Sequence, residues 1–270
     1  VTESYYFRKT LLVPNNVKMV KAKKHLGQHF LIDDSISFNI ANALKNTENY
    51  SHVIEVGPGT GALTKHLLAN ENYTTVAAEI DRESVAYLNQ HYPNLTVIEE
   101  SFLKLDFDTI TNGNLAVAGN FPYNISTQIL FKVYDEKHRV PEIVGMFQKE
   151  VAERVAEKPG TKKYGILSVL LQAFYDIEYL FTVDEDVFDP PPKVKSGVIR
   201  MVRNDVTDLG CDEKKFKLVI KTAFNQRRKM LRSSLKPFLN DEHKAMDLFT
   251  KRPEQLGVPE FIKITNLLFG

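Results

Sequence analysis

The 270-residue chain has a single cysteine, Cys211, so it can build neither an internal disulfide nor a cysteine-rich metal site. That usage fits a reducing compartment and predicts a cytoplasmic protein. Nowhere do apolar residues run for the ~18 positions a membrane span needs, and the first residues hold no apolar h-region. Internal repeats and low-complexity tracts are missing as well. The seven histidines never fall at H-E-x-x-H or related ligand spacing, and Cys211 sits in a polar linker. Neither a metal nor a covalent nucleophile is therefore expected. An excess of either charge is also lacking: 35 basic and 34 acidic side chains leave a net charge of +1. The neutrality hides an asymmetry. Glu213 to Lys236 carries nine Lys or Arg and one acid, net +8, while the rest of the chain is net −7. Such a segment points to a polyanionic partner.

Apolar residues make up 43% of the chain, enough for a sizeable core. Residues 1–24 show no apolar periodicity and end in Lys18, Lys21, Lys23 and Lys24, which reads as a flexible basic arm. From about Asp33, short apolar runs alternate with helical patterns. Strands are expected at His52–Val56, Thr75–Glu79, Leu95–Ile98, Leu115–Gly119 and Glu142–Phe147, separated by helix-length segments such as Arg82–His91. This alternation is the signature of an α/β domain with a mostly parallel sheet. Glu178–Val183 and Val198–Val202 flank a proline-rich turn and read as an antiparallel pair at the sheet's end. After about Asn204 strand signals stop. Phe216, Val219, Ile220, Ala223 and Phe224 follow the spacing of one helix face, Pro237 ends the next stretch, and a last helix opens near Pro259. The expected organisation is an α/β domain over 25–204 and a small all-helical domain over 205–270.

Two motifs carry chemistry. In Val53-Ile-Glu-Val-Gly-Pro-Gly-Thr-Gly61 a strand runs into a glycine turn and then a helix, so backbone can approach a ligand beside unpaired helix N–H groups. Its glycines alternate as Gly57, Gly59 and Gly61 and fit the dinucleotide pattern G-x-G-x-x-G poorly. Glu55 before the first glycine suits a ligand with a cationic amino-acid end. Glu79, closing the second strand, is placed to take the hydroxyls of a ribose. Together they describe an S-adenosylmethionine pocket better than a dinucleotide one. The second motif, Gly119-Asn-Phe-Pro-Tyr-Asn124, follows the fourth strand and faces the same crevice. An adenine N6 amine is a poor nucleophile because its lone pair is delocalised. The Asn120 side-chain oxygen and the Phe121 carbonyl can each accept one N6 hydrogen, turning the lone pair toward an incoming methyl. Pro122 stiffens the loop and Tyr123 can stack on the base.

These motifs, with Lys24-His-Leu-Gly-Gln-His-Phe-Leu-Ile-Asp33, Gln148-Lys-Glu-Val151, Tyr164-Gly-Ile-Leu-Ser168, Phe188-Asp-Pro-Pro-Pro-Lys-Val194 and Phe224-Asn-Gln-Arg-Arg-Lys229, fall in an order that resembles the ribosomal RNA adenine dimethyltransferases. The last three motifs are particular to the bacterial small-subunit branch. The resemblance spans about Lys21 to Leu268 and implies a Rossmann-like class I methyltransferase sheet followed by a small helical domain. It implies cofactor contacts at His29, Leu31, Gly57, Glu79, Ser101 and Asn120; Glu55 and Gly59 join them from the glycine-turn argument. Two positions depart from the pattern. His29 stands where the branch usually has Asn, and Ser101 where an Asp commonly accepts from the cofactor's adenine amine, with Glu100 and Asp106 as nearby acids. A charge run on a helix is often only a solvated face; here Arg227, Arg228, Lys229 and Arg232 follow an apolar helix face in an otherwise acidic chain and are expected to contact RNA phosphates. Phe188 is expected either to close the target base against Tyr123 or to pack in the core.

The implied reaction is S-adenosylmethionine-dependent N6,N6-dimethylation of two adjacent adenines in the 3′-terminal hairpin of 16S rRNA. The implied partner is an immature small ribosomal subunit, approached by a monomer. The rivals are large-subunit 23S rRNA methylation of the macrolide-resistance type and a weakly catalytic assembly factor.

Overall fold

The apolar runs become parallel strands in a computed structural model that describes residues 20–270. In chain order the α/β part comprises β1 (Phe30–Leu31), α1 (Asp34–Ala41), β2 (His52–Val56), α2 (Thr64–Leu68), β3 (Thr74–Ala78), α3 (Arg82–His91), β4 (Thr96–Ile98), β5 (Leu115–Asn120), α4 (Ser126–Asp135), β6 (Glu142–Gln148), α5 (Lys149–Ala156), α6 (Ile166–Gln172), β7 (Tyr175–Val183), β8 (Phe188–Asp189) and β9 (Ser196–Arg203). Seven strands form one sheet in the order β4-β3-β2-β5-β6-β9-β7. The first five run parallel; β9 adds antiparallel to β6, and β7 adds antiparallel to β9 at the edge, so β7 points the same way as the first five.

Strands covered on both faces must be apolar at nearly every position, and β2, β5 and β6 are buried along almost their whole length. The faces still alternate. Val53, Ala116, Ala118, Val144 and Met146 join α1 in one apolar cluster, while Ile54, Val117, Ile143 and Phe147 join α4 and α6 in another. At the edge of this arrangement a fully buried carboxylate, Glu142, accepts from the Lys45 and Asn46 N–H groups, the Tyr50 hydroxyl and the Arg200 guanidinium. That network fastens the α1–β2 connection to β6 and β9.

Three expectations need correction. The basic arm falls mostly on residues 1–19, outside the described residues, but its end is docked. Lys23 pairs with Asp81 and Glu83, and Lys24 opens a 3-10 turn. The cause is electrostatic: Asp81 is buried at the start of α3, and the ammonium holds its carboxyl low against the upward push of burial. Second, the proline-rich segment after β7 is more than a turn, because its first residues form β8, which pairs antiparallel with β1 in register Leu31 to Phe188. Third, that pairing carries the Phe188 ring into the core beside Leu31, Ile40 and Val198; at 3% exposure it presents no face to a base.

Past β9 every regular element is helical: α7 (Glu213–Asn225), α8 (Leu231–Ser234), α9 (Asp241–Ala245) and α10 (Val258–Phe269). Asp212 caps α7 by accepting from the Lys215 N–H at 2.9 Å. The buried face of α7 consists of Phe216, Val219, Ile220, Ala223 and Phe224. It packs against α6 and α10, so the helical segment shares one continuous apolar cluster with the sheet. Pro237 lies in a 3-10 turn just after α8, where its missing N–H costs no helix bond.

Candidate active site

One cavity opens at the carboxyl ends of the parallel strands, the usual ligand position in open α/β sheets. Its wall includes His29, Leu31, Glu55, Gly57, Gly59, Glu79, Ser101, Asn120, Phe121, Pro122 and Tyr123. The expected cofactor contacts and the Asn120–Tyr123 loop thus face one space. Phe188, Arg227, Arg228, Lys229 and Arg232 do not line it.

The glycine turn between β2 and α2 needs its glycines. Gly57 and Gly59 have φ of 67° and 56°, a region side chains rarely adopt, and a Cβ on Gly59 would lie 2.8 Å from the Phe30 ring. Below the turn Glu55 is 2% exposed and its carboxylate accepts from the Thr64 hydroxyl at 2.6 Å. Burial pushes its pKa up to about 8; the Thr64 bond counteracts this and the nearby Glu79 charge adds to it. A buried acid with one hydrogen-bonded partner is suited to a cationic ligand. Glu79 is held differently. Its carboxylate accepts from the N–H groups of Gly59, Ile80 and Asp81, which fix its direction while burial raises its pKa. Ser101 and Glu100 both line the cavity, whereas Asp106 caps its own 3-10 turn and does not. Of the two acids near Ser101, Glu100 is the one in reach of a ligand.

The Asn120–Tyr123 loop is clamped from three sides. Phe121 is fully buried against Phe147, with ring centroids 4.8 Å apart, and lies over Gly119 and Gly145. Its N–H donates to the Met146 carbonyl at 3.1 Å, which continues the β5–β6 ladder by one residue. Its own carbonyl accepts no hydrogen bond among the described residues. Asn120 donates through Nδ2 to the His29 carbonyl at 2.9 Å. Since that carbonyl can only accept, the amide orientation is set, and Oδ1 is the atom left facing outward without a donor among the described residues. Two adjacent residues that line the cavity thus each keep an acceptor without a donor among the described residues. The Tyr123 hydroxyl shares a hydrogen bond with Ser196 Oγ at 2.5 Å, and its ring lies 5.5 Å from the His29 ring at a 31° tilt. The His29 Nδ1 in turn donates to the Pro190 carbonyl at 2.8 Å. His29 is therefore a joint between the N-terminal segment, the catalytic-type loop and the proline loop.

The geometry agrees with the comparisons. The model of the family described as "Ribosomal RNA adenine dimethylase" matches residues 19–258. The chain belongs to that family. A relative from Cytophaga hutchinsonii, named ribosomal RNA small subunit methyltransferase A, is 57% identical over 258 residues, covering 94% of this chain and all of the relative. One of the same name from Parabacteroides distasonis is 56% identical, covering 92% of this chain and 94% of its own. Among solved structures, a dimethyladenosine transferase from Plasmodium falciparum superposes with a TM-score of 0.73 at 24% identity, covering 87% of this chain and 96% of its own. The 23S rRNA methyltransferase ErmE superposes at 0.65 with 23% identity, covering 88% and 99%. At such identities these two speak for the fold alone. The family member is an rRNA methyltransferase that uses S-adenosylmethionine. Its cavity suits that cofactor: the buried Glu55 calls for a cation, Glu79 offers a fixed acceptor, and Gly57 and Gly59 keep the turn that lines the cavity free of side chains.

The expected RNA contacts divide. Arg228, Lys229 and Arg232 are exposed. Arg227 is not a free cation; its guanidinium donates to the carbonyls of Lys162 at 2.7 Å and Tyr164 at 3.3 Å. The loop before α6 turns those carbonyls toward the end of α7, and Arg227 satisfies them, joining the helical segment to the α/β part. The sequence motifs include Pro190 but not its bond to His29, and Gly145 and Ser196, which meet Phe121 and Tyr123 through space, stand in none of them. No local motif signals such contacts.

Proposed function

We propose that this protein transfers methyl groups from S-adenosylmethionine to N6 of two adjacent adenines in the 3′-terminal hairpin of 16S rRNA, acting on an immature small subunit in the cytoplasm as a monomer. The observation that supports the reaction type is the Asn120–His29 bond, which leaves Asn120 Oδ1, like the carbonyl of the adjacent Phe121, without a donor among the described residues. The small-subunit assignment is supported by the names of relatives 51–57% identical to this chain. No helix among the described residues is long and apolar enough to cross a membrane.

The bound cofactor would supply an electrophilic methyl on a sulfonium. Glu79 would hold its ribose and Glu55 would face its ammonium. Asn120 Oδ1 and the Phe121 carbonyl would each accept one N6 hydrogen, so the nitrogen lone pair would lose its conjugation with the ring and point toward the incoming methyl. The gain comes from preorganised acceptors and positioning rather than from a strong base. Once alkylated, the amine loses a proton to water. Tyr123, braced by Ser196 and His29, would stack on the base. Residues 25–204 would form the methyltransferase unit and 205–270 the RNA-binding unit, with Arg228, Lys229 and Arg232 meeting phosphates.

The test is to incubate the protein with labelled cofactor and undermodified small subunits, large subunits or naked RNA. Label in small-subunit RNA is expected. Label confined to large-subunit RNA would reassign the substrate, and no label anywhere would reduce the protein to a binding factor.

A further inference from the structure

Of the polar groups on the cavity wall that the mechanism leaves unused, one is buried without a partner. Ser37, on α1, is fully buried, and its hydroxyl has no hydrogen-bond partner among the described residues. Helical serines often settle the hydroxyl on the carbonyl four residues back, but Ser37 does not. A buried hydroxyl without a partner is costly and calls for an explanation. Ser37 lines the same cavity as Glu55, beside the apolar Ile40 and Leu63.

Its place in the fold says which end of a ligand it meets. Glu79 and Ser101 follow β3 and β4, on one side of β2 in the sheet. Helix α1 packs against α2 and β6, on the other side. An adenosine held at the β3–β4 side therefore directs the rest of the cofactor toward α1. We propose that the Ser37 hydroxyl is a contact for the amino-acid end of S-adenosylmethionine, sharing that end with Glu55. The inference rests on the cofactor reading of the cavity. A hydroxyl both donates and accepts, so it can serve the zwitterion where Glu55 serves only its ammonium.

Two ligands isolate that end. S-adenosylhomocysteine carries it, and 5′-methylthioadenosine has the same adenosine and a neutral thioether without it. Ser37→Ala should bind S-adenosylhomocysteine about fivefold more weakly, the equivalent of one ordinary hydrogen bond, and bind 5′-methylthioadenosine unchanged. The ligand-free variant should unfold at the same temperature as the parent or higher, since the substitution removes an unpaired buried polar group. A purely structural role would instead lower that temperature and weaken both ligands alike. Unchanged affinity for S-adenosylhomocysteine, or equal losses for both ligands, would overturn the inference while leaving the cofactor reading intact. Parent protein that binds neither ligand would overturn both.

Discussion

The side-chain amide of Asn120 donates to the main-chain carbonyl of His29 at 2.9 Å, across 91 positions of sequence. This bond decides which atom of Asn120 faces the cavity, and the proposed chemistry depends on that atom being the oxygen. Asn120→Ala should lower single-turnover methyl transfer by about 100-fold or more, the usual cost of one preorganised acceptor. The thermal midpoint should stay near the parent's. A loss within roughly tenfold would make Asn120 a turn residue only.

Gly145 lies on the neighbouring strand β6, yet it shapes the same loop. A Cβ there would stand 2.1 Å from the Phe121 ring, and that ring is wedged against Phe147. Gly145→Ala should therefore push Phe121 and its carbonyl out of place. Methyl transfer should fall by at least tenfold, a misplacement effect of the kind that costs up to about 100-fold. Overpacking should also destabilise the protein by about 1–3 kcal/mol. Unimpaired transfer in a folded variant would show that the position of the Phe121 carbonyl does not matter.

The buried Glu55 sets a pH dependence with a definite sign. Burial raises its carboxyl from the ordinary 4.5 to about 8, so in this window the folded, ligand-free protein holds a proton that the unfolded chain does not. Ligand-free stability contributed by this group is greatest below 4.5, falls as pH rises toward 8, and is flat above it. An ammonium beside Glu55 favours the carboxylate. Cofactor binding should therefore release a proton, and affinity should climb with pH up to about 8. Calorimetry in two buffers of different ionisation heat reads the proton directly. Glu55→Gln should abolish both the release and the rising limb; their persistence would place the ammonium elsewhere.

The basic segment separates into a strut and a surface. Reversing the charge of Arg228, Lys229 and Arg232 should weaken binding to small subunits and reduce the salt slope by about one for each phosphate that is no longer neutralised. Arg227→Ala should instead loosen the junction with Lys162 and Tyr164, lowering stability while leaving the salt slope alone. An unchanged slope in the triple variant would make those side chains a solvated face.

The parallel strands, the α7 face and the cavity residues were legible because each is written in local periodicity or in a contiguous motif. His52–Val56 and Arg82–His91 have the bounds that their patterns imply. What was not legible depends on side chains meeting through space. Phe188 looked available in a proline-rich loop until the two-residue β1–β8 pairing drew it into the core. Arg227 looked like its neighbours, but only it reaches the carbonyls before α6. Lys23 belongs to a charge run that reads as a flexible arm, and the buried Asp81 that docks it lies 58 positions away. Ser101 and Glu100 were adjacent in sequence with Asp106 near, and only the folded loop separates the two acids by which of them faces the cavity.

The most direct measurement is nucleoside mass spectrometry of small-subunit RNA after complete reaction with S-adenosylmethionine, with the modified positions mapped. The acceptors for the N6 amine predict methylation at N6, and the proposed function predicts N6,N6-dimethyladenosine at two neighbouring positions of the 3′-terminal hairpin, with the N6-monomethyl form appearing only transiently. Methyl groups at a ring nitrogen or ring carbon of adenine, or on another base, would contradict the account.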